Sequence, residues 1–229
     1  MSKAREVDAI SVDNVAALAN LSPRQGQTVF TRGYYTAGDG GGNEYRYDAT
    51  SAATVDGGFV ITAGTGRFLA LDQTVANVRQ FGAYGDNTND DTTTIQAAID
   101  AGVGVYLPAG DYKITDTLLL KRGGCHIWGD GENLTRIYFV NAAGGVGISG
   151  DTNKQASTTT YEQCSIKSLT LASTAAATDP SVYLDITSFS YSTFDVAINT
   201  KRVNGVCIWT REQWFFAVLQ CYYKQPPVW

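Results

Sequence analysis

The pattern of apolar and polar positions begins with a short helical segment. Between Ser11 and Leu21, apolar residues recur at the spacing of one helical face. These residues are Val12, Val15, Ala16, Leu18 and Ala19. Ser11 or Asp13 is expected to cap this helix, and Ser22-Pro23 is expected to end it, because the residue before a proline avoids helical geometry.

The pattern then changes to short strand-like runs separated by glycines. Candidate strands cover residues 29–35, 44–48, 58–62 and 66–71. They predict a compact, mostly antiparallel β domain. The stretch AGDGGGN at 37–43 is interpreted as a tight hairpin turn with positive φ angles. A phosphate-binding loop is disfavoured, because the stretch lacks a Gly-Lys-Ser/Thr ending and does not open a helix.

A second helix is predicted before residue 100, and short strands follow it to the end of the chain. Ile95, Ala98 and Ile99 share one helical face, and Asp90, Asp91 or a threonine at 92–94 is expected to cap it. The later strands recur at roughly 20 residues without crossover helices, which favours a parallel β-solenoid over a doubly wound α/β fold.

Composition and charge exclude several classes of protein. The 229 residues include 17 Lys and Arg against 22 Asp and Glu, and the net charge of −5 argues against a protein that binds nucleic acid by neutralising phosphates. The chain is 44% hydrophobic and 11% aromatic, which argues against disorder. No apolar run reaches the roughly 20 residues that span a bilayer, so no membrane insertion is expected. The first ten residues lack a signal-peptide core, so Sec export is not expected.

The cysteine and histidine pattern predicts no metal or cofactor. The four cysteines are not paired as Cys-x-x-Cys, and His126 is the only histidine. A zinc site, a Ser-His-Asp triad and a Cys-His pair are therefore disfavoured, unless His126 serves. His126 is expected to be a packed strand residue. The cysteines are interpreted as free, mostly buried thiols of a protein that folds in a reducing cytoplasm: Cys125, Cys164, Cys207 and Cys221.

Four sequence pieces after residue 78 carry a family resemblance. They are FGAYGD at Phe81–Asp86, NDDTTTIQAAID at Asn89–Asp100, VYLPAGDYKI at Val105–Ile114 and IWGDGENLTRI at Ile127–Ile137. In this order they resemble the entry segment of right-handed β-helices in the pectate-lyase-like superfamily. The resemblance implies that the short helix lies across the open end of the solenoid, where the first coil would otherwise expose a strand edge and apolar interior.

The upstream residues resemble a second type of domain. FTRGYYTAGDGGGNEYRYD at Phe30–Asp48 and DGGFVITAGTGRFLAL at Asp56–Leu71 are similar to N-terminal domains of bacteriophage tailspikes and tail fibres. The expected fold is mainly β: a small N-terminal β domain with one helix, then a right-handed parallel β-helix capped by a short α-helix. The expected division is 1–72 for virion binding, 73–77 for a linker and 78–229 for the capping helix and first coils.

The resemblance implies a function in host attachment. In such spikes the small domain joins the virion, and the β-helix recognises the host and often degrades a surface polysaccharide. The chain is therefore expected to form a homotrimer in the virion tail, assembled in the host cytoplasm, with tail or portal-proximal proteins contacted through 1–72 and a bacterial surface polysaccharide bound beyond. A polysaccharide depolymerase and an adaptor for other tail proteins are the alternatives. About four or five coils are fewer than enzymatic members have, which favours attachment over catalysis.

The predicted solenoid contains several carboxylates, but no residue is assigned as catalytic. A glycoside hydrolase needs two carboxylates roughly 5 to 9.5 Å apart, which acids stacked on coils about 4.8 Å apart could supply. The candidates, interpreted as solvated acids on turns, are Glu132, Glu162, Asp185, Asp195 and Glu212. Asp86, Asp90 and Asp91 could bind calcium but are interpreted as helix caps and turn residues. Three aromatic residues could stack on sugars, with core or inter-subunit packing favoured for most: Trp128, Tyr138 and Tyr191.

Overall fold

The described chain is almost entirely β. A computed structural model describes residues 10–102, 104–140, 146–150, 161–173, 182–185, 189–190, 192–199, 206–209 and 218–223. Within these ranges lie 20 strands, two α-helices and one 3-10 helix, so the predicted mainly-β fold is confirmed. Among the helices found in these ranges, none is both long and apolar enough to cross a membrane.

The N-terminal domain is a five-stranded sheet with one short helix on its inner face. Its strands are β1 (Ile10–Val12), β2 (Thr28–Thr31), β3 (Asn43–Asp48), β4 (Val60–Ala63) and β5 (Gly66–Ala70). They lie in the order β1-β2-β3-β5-β4, and every pair is antiparallel except β1 with β2. Alternation buries Val29, Tyr45, Tyr47 and Phe68 on the inner face, where Leu18 of the helix packs.

The helix in this domain is shorter than the sequence predicted. Helix α1 covers only Val15–Ala19, and Val12, counted toward its apolar face, belongs to strand β1. Its cap is neither Ser11 nor Asp13: the Asn14 side chain accepts a hydrogen bond from the Ala17 N–H at 2.8 Å. Asn14 occupies the extended N-cap conformation, so its amide oxygen reaches the exposed donors of the first turn.

The glycine-rich stretch is a long organised loop, and the prediction of a tight hairpin turn is wrong. It connects β2 to β3 through residues 32–42, and Gly38 and Gly40 have φ angles of 89° and 85°. The Asp39 carboxylate accepts hydrogen bonds from four backbone N–H groups, those of Tyr34, Tyr35, Thr36 and Gly41. Partial burial opposes ionisation, but these donors hold the pKa of Asp39 below its usual value.

The second domain winds through successive coils of short parallel strands. The first coil contains β6 (Val75–Asn77), the 3-10 helix Val78–Phe81, β7 (Asp86–Asp90) and α2 (Thr92–Ala101). The second contains β8 (Gly104–Leu107), β9 (Gly110–Ile114) and β10 (Leu118–Leu119). The third contains β11 (His126–Gly129), β12 (Thr135–Phe139) and β13 (Val146–Ser149). Strand β6 includes residues that the sequence analysis assigned to a linker.

The remaining strands continue the same winding. They are β14 (Tyr161–Glu162), β15 (Ser165–Ser173), β16 (Val182–Asp185), β17 (Phe189–Ser190), β18 (Thr193–Asn199), β19 (Val206–Trp209) and β20 (Val218–Tyr223). Ladder 1 consists of β6, β8, β11 and the first half of β15; ladder 2 of β7, β9, β12 and its second half. Strands β18 and β20 extend both ladders, and ladder 3 consists of β10, β13, β16 and β19. The predicted parallel β-helix is confirmed.

The distance along the sequence between paired strands varies more than predicted. Gly104 pairs with His126, His126 with Ser165, and Ser165 with Thr193, which are steps of 22, 39 and 28 residues. The expected step of roughly 20 residues fits only the first. The paired strands stay parallel at all three steps, although the steps differ in length.

The inside of the β-helix is apolar, and helix α2 lies across its N-terminal end, as predicted. Val105, Ile127, Ile166 and Phe194 follow one another in register along the inner side of ladder 1. Ile95, Ala98 and Ile99 of α2 are buried against this end. Its cap residue is Asp91, whose side chain makes no cap bond; the first-turn N–H of Thr92 donates instead to Asp90 at 3.0 Å.

Two of the four cysteines are buried thiols, as predicted, whereas His126 is not packed. Burial raises the pKa of the Cys125 thiol to about 12 and also raises that of Cys164. The side chains of Cys207 and Cys221 lie outside the described residues. His126 is on β11 but points outward and is exposed, because its neighbours Cys125 and Ile127 occupy the inside.

A packed junction joins the two domains. The rings of Tyr35 and Tyr84 stack with centroids 4.4 Å apart, and those of Phe59 and Phe81 meet edge to face at 5.1 Å. The Arg79 guanidinium donates to the carbonyl oxygens of Asp39, Tyr84 and Ala109, at 3.4, 3.2 and 3.0 Å. The Tyr35 hydroxyl donates to the Gly82 carbonyl at 2.9 Å. The N-terminal domain therefore rests directly on the first coil.

Candidate functional site

The outward side of ladder 1 forms two columns of side chains. Because alternate residues of a strand point to opposite faces, registered strands place equivalent outward residues directly above one another. One column contains Tyr106, Trp128, Lys167 and Asp195, and the other contains Gly104, His126, Ser165 and Thr193. We call these eight residues the ladder 1 face. It is the candidate binding surface, because it combines aromatic rings with polar groups that project from a rigid sheet.

Two aromatic rings dominate the first half of this face. Tyr106 and Trp128 are half-buried and stacked, with centroids 6.0 Å apart and planes at 26°. The six-membered ring of Trp128 extends over Gly104, where a Cβ would lie 3.1 Å from ring atoms Cη2 and Cζ3. Gly104 thus leaves the room that the indole occupies on the sheet surface.

A carboxylate fixes the tyrosine of this pair. The Tyr106 hydroxyl donates to Asp130 Oδ1 at 2.7 Å, and Asp130 Oδ2 accepts from the Ala109 N–H at 2.8 Å. The hydrogen bond to Asp130 raises the pKa of Tyr106. Both oxygens of Asp130 are therefore engaged in holding the ring, which leaves Tyr106 in one orientation beside the indole.

Polar groups border the rings on the following coils. His126 Nδ1 and Ser165 Oγ lie 2.9 Å apart across β11 and β15. Lys167 is exposed and Asp195 is half-buried, and the two occupy paired positions on β15 and β18. Within the described part of the chain, neither Lys167 nor Asp195 forms a hydrogen bond or an ion pair. These two charges remain available to a bound molecule.

The outward side of ladder 2 is different, because its charges are paired. Arg136 donates to both oxygens of Asp111 on the neighbouring coil, at 2.6 and 2.9 Å. The same guanidinium lies 5.8 Å from the ring centroid of Tyr138, which is half-buried. Lys113 donates to the Thr88 carbonyl at 3.2 Å. Ladder 2 thus uses its polar groups to connect its own strands.

The carboxylates proposed as hydrolase candidates are scattered. Asp195 lies on ladder 1, Asp185 at the end of β16 in ladder 3, Glu162 on β14 and Glu132 in the turn between β11 and β12. In the described strands, register pairs Asp195 with Lys167 and Gln220, Asp185 with Ser149 and Trp209, and Glu162 with Ser190. These pairings stack none of the four on another acid. Glu212 and Tyr191 lie outside the described residues.

Asp86 and Asp90 make the predicted turn and capping contacts, whereas the Asp91 side chain does not cap α2. Asp86 Oδ1 accepts from the N–H groups of Thr88 and Asn89, and Asp90 accepts from Thr92 and from the Thr115 hydroxyl. Asp91 is fully buried and accepts from the N–H groups of Tyr84 and Gly85, at 2.7 and 3.0 Å. Burial outweighs these donors and raises the pKa of Asp91. Across the described ranges, no cluster of three or more metal-ligating side chains occurs.

Sequence reasoning identified Trp128 as a candidate but missed the residues around it. Tyr106, Asp130, Ser165 and Lys167 were not singled out, although each flanks the indole or its coil. The alternation of the VYLP strand could have placed Tyr106 outward. Its position beside Trp128 depends on strand register, and the register could not be predicted because the steps between paired strands vary in length.

Sequence profiles of two families match the two domains. Residues 75–213 match the family described as rhamnogalacturonase A/epimerase, pectate lyase-like. Residues 11–73 match the phage tail protein small four-stranded beta-sheet domain. Both parts of the sequence resemblance are therefore confirmed.

Curated relatives match the chain in part. Mannuronan C5-epimerase AlgE1 of Azotobacter vinelandii is 33% identical over 124 residues, which is 49% of this chain and 8% of that protein. Mannuronan C5-epimerase AlgE2 of the same organism is 45% identical over 76 residues, or 28% of this chain and 8% of that protein. The chain therefore spans less than a tenth of the length of either relative.

Solved structures share the fold over most of the chain. The gp42 tailspike of Acinetobacter phage vb_AbaP_AS12 has a TM-score of 0.69 at 18% identity, covering 85% of this chain and 37% of that one. A second structure is tailspike gp49 of Acinetobacter baumannii bacteriophage Fri1, described as a capsular polysaccharide depolymerase. Its TM-score is 0.66 at 19% identity, and the match covers 89% of this chain and 40% of that one. The chain spans two-fifths or less of the length of either tailspike.

Proposed function

The chain belongs to the rhamnogalacturonase A/epimerase, pectate lyase-like family, and we propose that it is a phage tailspike or tail fibre protein, or the virion-proximal part of one. In this proposal, residues 1–72 attach to the virion, and the residues from β6 (Val75–Asn77) onward form the β-helix that recognises a host-surface glycan. The observation that carries the proposal is the direct packing of a phage-tail type of sheet domain onto the capped end of a β-helix.

The outer face of the N-terminal sheet supports the role in attachment. Phe30, Glu44 and Leu71 lie in one row across β2, β3 and the end of β5, and Phe30 and Leu71 are 40% and 53% exposed. This row lies on the sheet side opposite the buried residues Val29 and Tyr45. Exposed apolar side chains that lie together on one side of a sheet are a feature of surfaces that bind other proteins.

Chemical crosslinking of purified virions tests the attachment. A carboxyl-to-amine crosslinker of zero length is expected to join carboxylates of residues 10–72, Glu44 among them, to another tail protein. Two results would contradict attachment through residues 1–72. One is crosslinking of tail proteins only to residues 78–229, and the other is the absence of the chain from virions.

Glycan recognition is supported by the ladder 1 face, where aromatic rings and unpaired charges lie together. The purified chain is expected to compete with virions for adsorption to encapsulated cells and to bind capsule-deficient cells much less. Equal binding to both cell types would contradict glycan recognition.

We also propose that the chain forms a homotrimer in the virion tail, assembled in the host cytoplasm. A monomeric mass by light scattering at micromolar concentration would contradict the homotrimer.

A polysaccharide depolymerase is the second candidate function. It is favoured by the fold shared with gp49 of phage Fri1, which is described as a capsular polysaccharide depolymerase. Incubation of the chain with purified capsule is the test, and the assay measures new reducing ends. Attachment without catalysis predicts no increase, because strand register stacks none of the described candidates Asp185, Asp195 and Glu162 on another acid. Released oligosaccharide would establish the enzyme instead.

A further inference from the structure

We propose that Tyr106 and Trp128 form a stacking subsite for a neutral hexopyranose with equatorial hydroxyl groups, the class of which β-glucose is the simplest member. The inference rests on the proposed function, since it names the sugar chemistry that the glycan-binding face would accept. The subsite comprises the two rings together with Gly104, Lys167 and Asp195 on the ladder 1 face.

The first step concerns the rings. In a pyranose with equatorial hydroxyl groups, the axial C–H bonds make both faces of the ring apolar, and such a face packs on an aromatic surface. Trp128 covers Gly104 on one side and remains half-buried, so part of the indole faces solvent. Tyr106 stacks with the indole and is held by Asp130. The rings are therefore positioned before any sugar binds.

The second step concerns the polar border. Lys167 follows Trp128 directly in the outward column, and Asp195 follows Lys167. A sugar stacked on the indole would direct its equatorial hydroxyl groups sideways, where an ammonium donates and a carboxylate accepts hydrogen bonds. Since these two side chains have no partner within the described residues, binding would break no existing interaction of theirs.

The third step concerns charge, which selects a neutral sugar over an acidic one. Two carboxylates, Asp130 and Asp195, and the Lys167 ammonium lie around the rings. The Arg79 guanidinium also acts on Tyr106, but it is bound to three backbone carbonyls. The whole chain carries a net charge of −5. A uronate would add a further negative charge to this border, whereas a neutral hexose meets no such repulsion. The rings could instead contact a second copy of the chain, which is one outcome of the test.

Binding of cellotetraose to the full chain tests the subsite. We expect saturable binding by tryptophan fluorescence or calorimetry, and weaker binding of an alginate tetrasaccharide. Trp128→Ala should weaken cellotetraose binding about tenfold, the usual consequence of losing one stacking ring. Tyr138→Ala, which removes a half-buried outward aromatic ring of ladder 2, is the matched control and should change the affinity less than about twofold.

A second variant tests the position of the ring without removing it. Gly104→Ala would place a methyl group 3.1 Å from the indole and displace it by a few tenths of an ångström. We expect cellotetraose binding to weaken about threefold while the thermal unfolding temperature stays close to that of the parent chain. This variant separates a loss of ring placement from a loss of folding.

Several results would overturn the subsite. They are the absence of cellotetraose binding, tighter binding of the alginate tetrasaccharide, and equal losses in Trp128→Ala and Tyr138→Ala. A lower solution mass of Trp128→Ala without sugar binding by the parent would show that a second copy covers the rings. If the subsite fails while the chain still blocks virion adsorption to encapsulated cells, the proposed function stands and only this location is wrong.

Discussion

The interdomain junction and the ladder 1 face both contain aromatic residues, but their polar groups are used differently. Across the junction, Arg79 donates to the Asp39 carbonyl and the Tyr35 hydroxyl donates to the Gly82 carbonyl. Arg79 also donates to two carbonyls of its own domain. On the ladder 1 face, Lys167 and Asp195 have no partner within the described residues. Side chains whose bonds are already satisfied hold a structure together, whereas unsatisfied groups on a rigid surface are available for a ligand. We therefore expect the junction to hold the two domains together and the ladder 1 face to bind a ligand.

The largest effect on this comparison is expected from Phe81→Ala at the junction. Phe81 is 2% exposed and packs against Phe59 and Gly58, so its removal leaves a cavity between the domains. The free energy of unfolding should fall by about 3 to 5 kcal/mol in denaturant titrations. Phe30→Ala is the control: Phe30 is an exposed ring of the same N-terminal domain, and its loss should cost less than about 1 kcal/mol. Equal losses would show that the junction contributes no cohesion.

The next effect is expected from Asp39→Asn, which weakens the loop that Arg79 contacts. An amide offers one acceptor oxygen in place of two, so some of the four backbone N–H groups lose their partner. The free energy of unfolding should fall by about 1 to 3 kcal/mol at neutral pH. Because the folded pKa of Asp39 lies below its unfolded value, the stabilisation is present above the unfolded value and is lost as the pH falls through the folded one.

The contribution of Asp91 to folding stability should change with pH in the opposite direction to that of Asp39. Its folded pKa is raised, so its ionisation costs more in the folded chain, and this contribution to stability decreases as the pH rises from the ordinary aspartate value through the raised one. Denaturant titrations of Asp39→Asn and Asp91→Asn against the parent chain, from acidic to neutral pH, measure both. With falling pH, the deficit of Asp39→Asn should shrink and that of Asp91→Asn should grow. If the two stability deficits change in the same direction with pH, the opposite pKa shifts assigned to Asp39 and Asp91 are wrong.

The smallest effect compares a paired cation with an unpaired one. Arg136→Ala breaks the two-pronged contact with Asp111 and should cost about 1 kcal/mol in unfolding experiments. Lys167→Ala should change the free energy of unfolding by less than about 0.5 kcal/mol, while weakening cellotetraose binding. A Lys167 variant that is as destabilised as the Arg136 variant would show that Lys167 belongs to the framework of the β-helix.

Sequence reasoning located the elements whose signals are local. The α2 segment has apolar residues at helical spacing, and its acidic residues make the expected cap and turn contacts. The same reasoning overextended the first helix, because Val12 fits the helical spacing although it pairs in β1, and Asn14 lies where a cap could form. Strand alternation could have placed His126 outside, since Cys125 and Ile127 are apolar and buried.

The ladder 1 face could not be predicted, because it depends on contacts between distant residues. Trp128 lies next to Tyr106 from 22 residues earlier and Lys167 from 39 residues later. These steps depend on turn lengths that have no regular period. The Asp39 loop was missed for a related reason: the glycines suggested a tight turn, whereas one carboxylate organises four N–H groups across a longer connection.

The division between a junction that holds and a face that binds is tested most directly by the affinity for cellotetraose, measured on Phe81→Ala and Trp128→Ala below their unfolding transitions. We expect Phe81→Ala to bind within about twofold of the parent chain, although it is much less stable, and Trp128→Ala to bind about tenfold more weakly. If Phe81→Ala loses affinity as Trp128→Ala does, or if neither does, the two regions do not have the separate roles assigned to them.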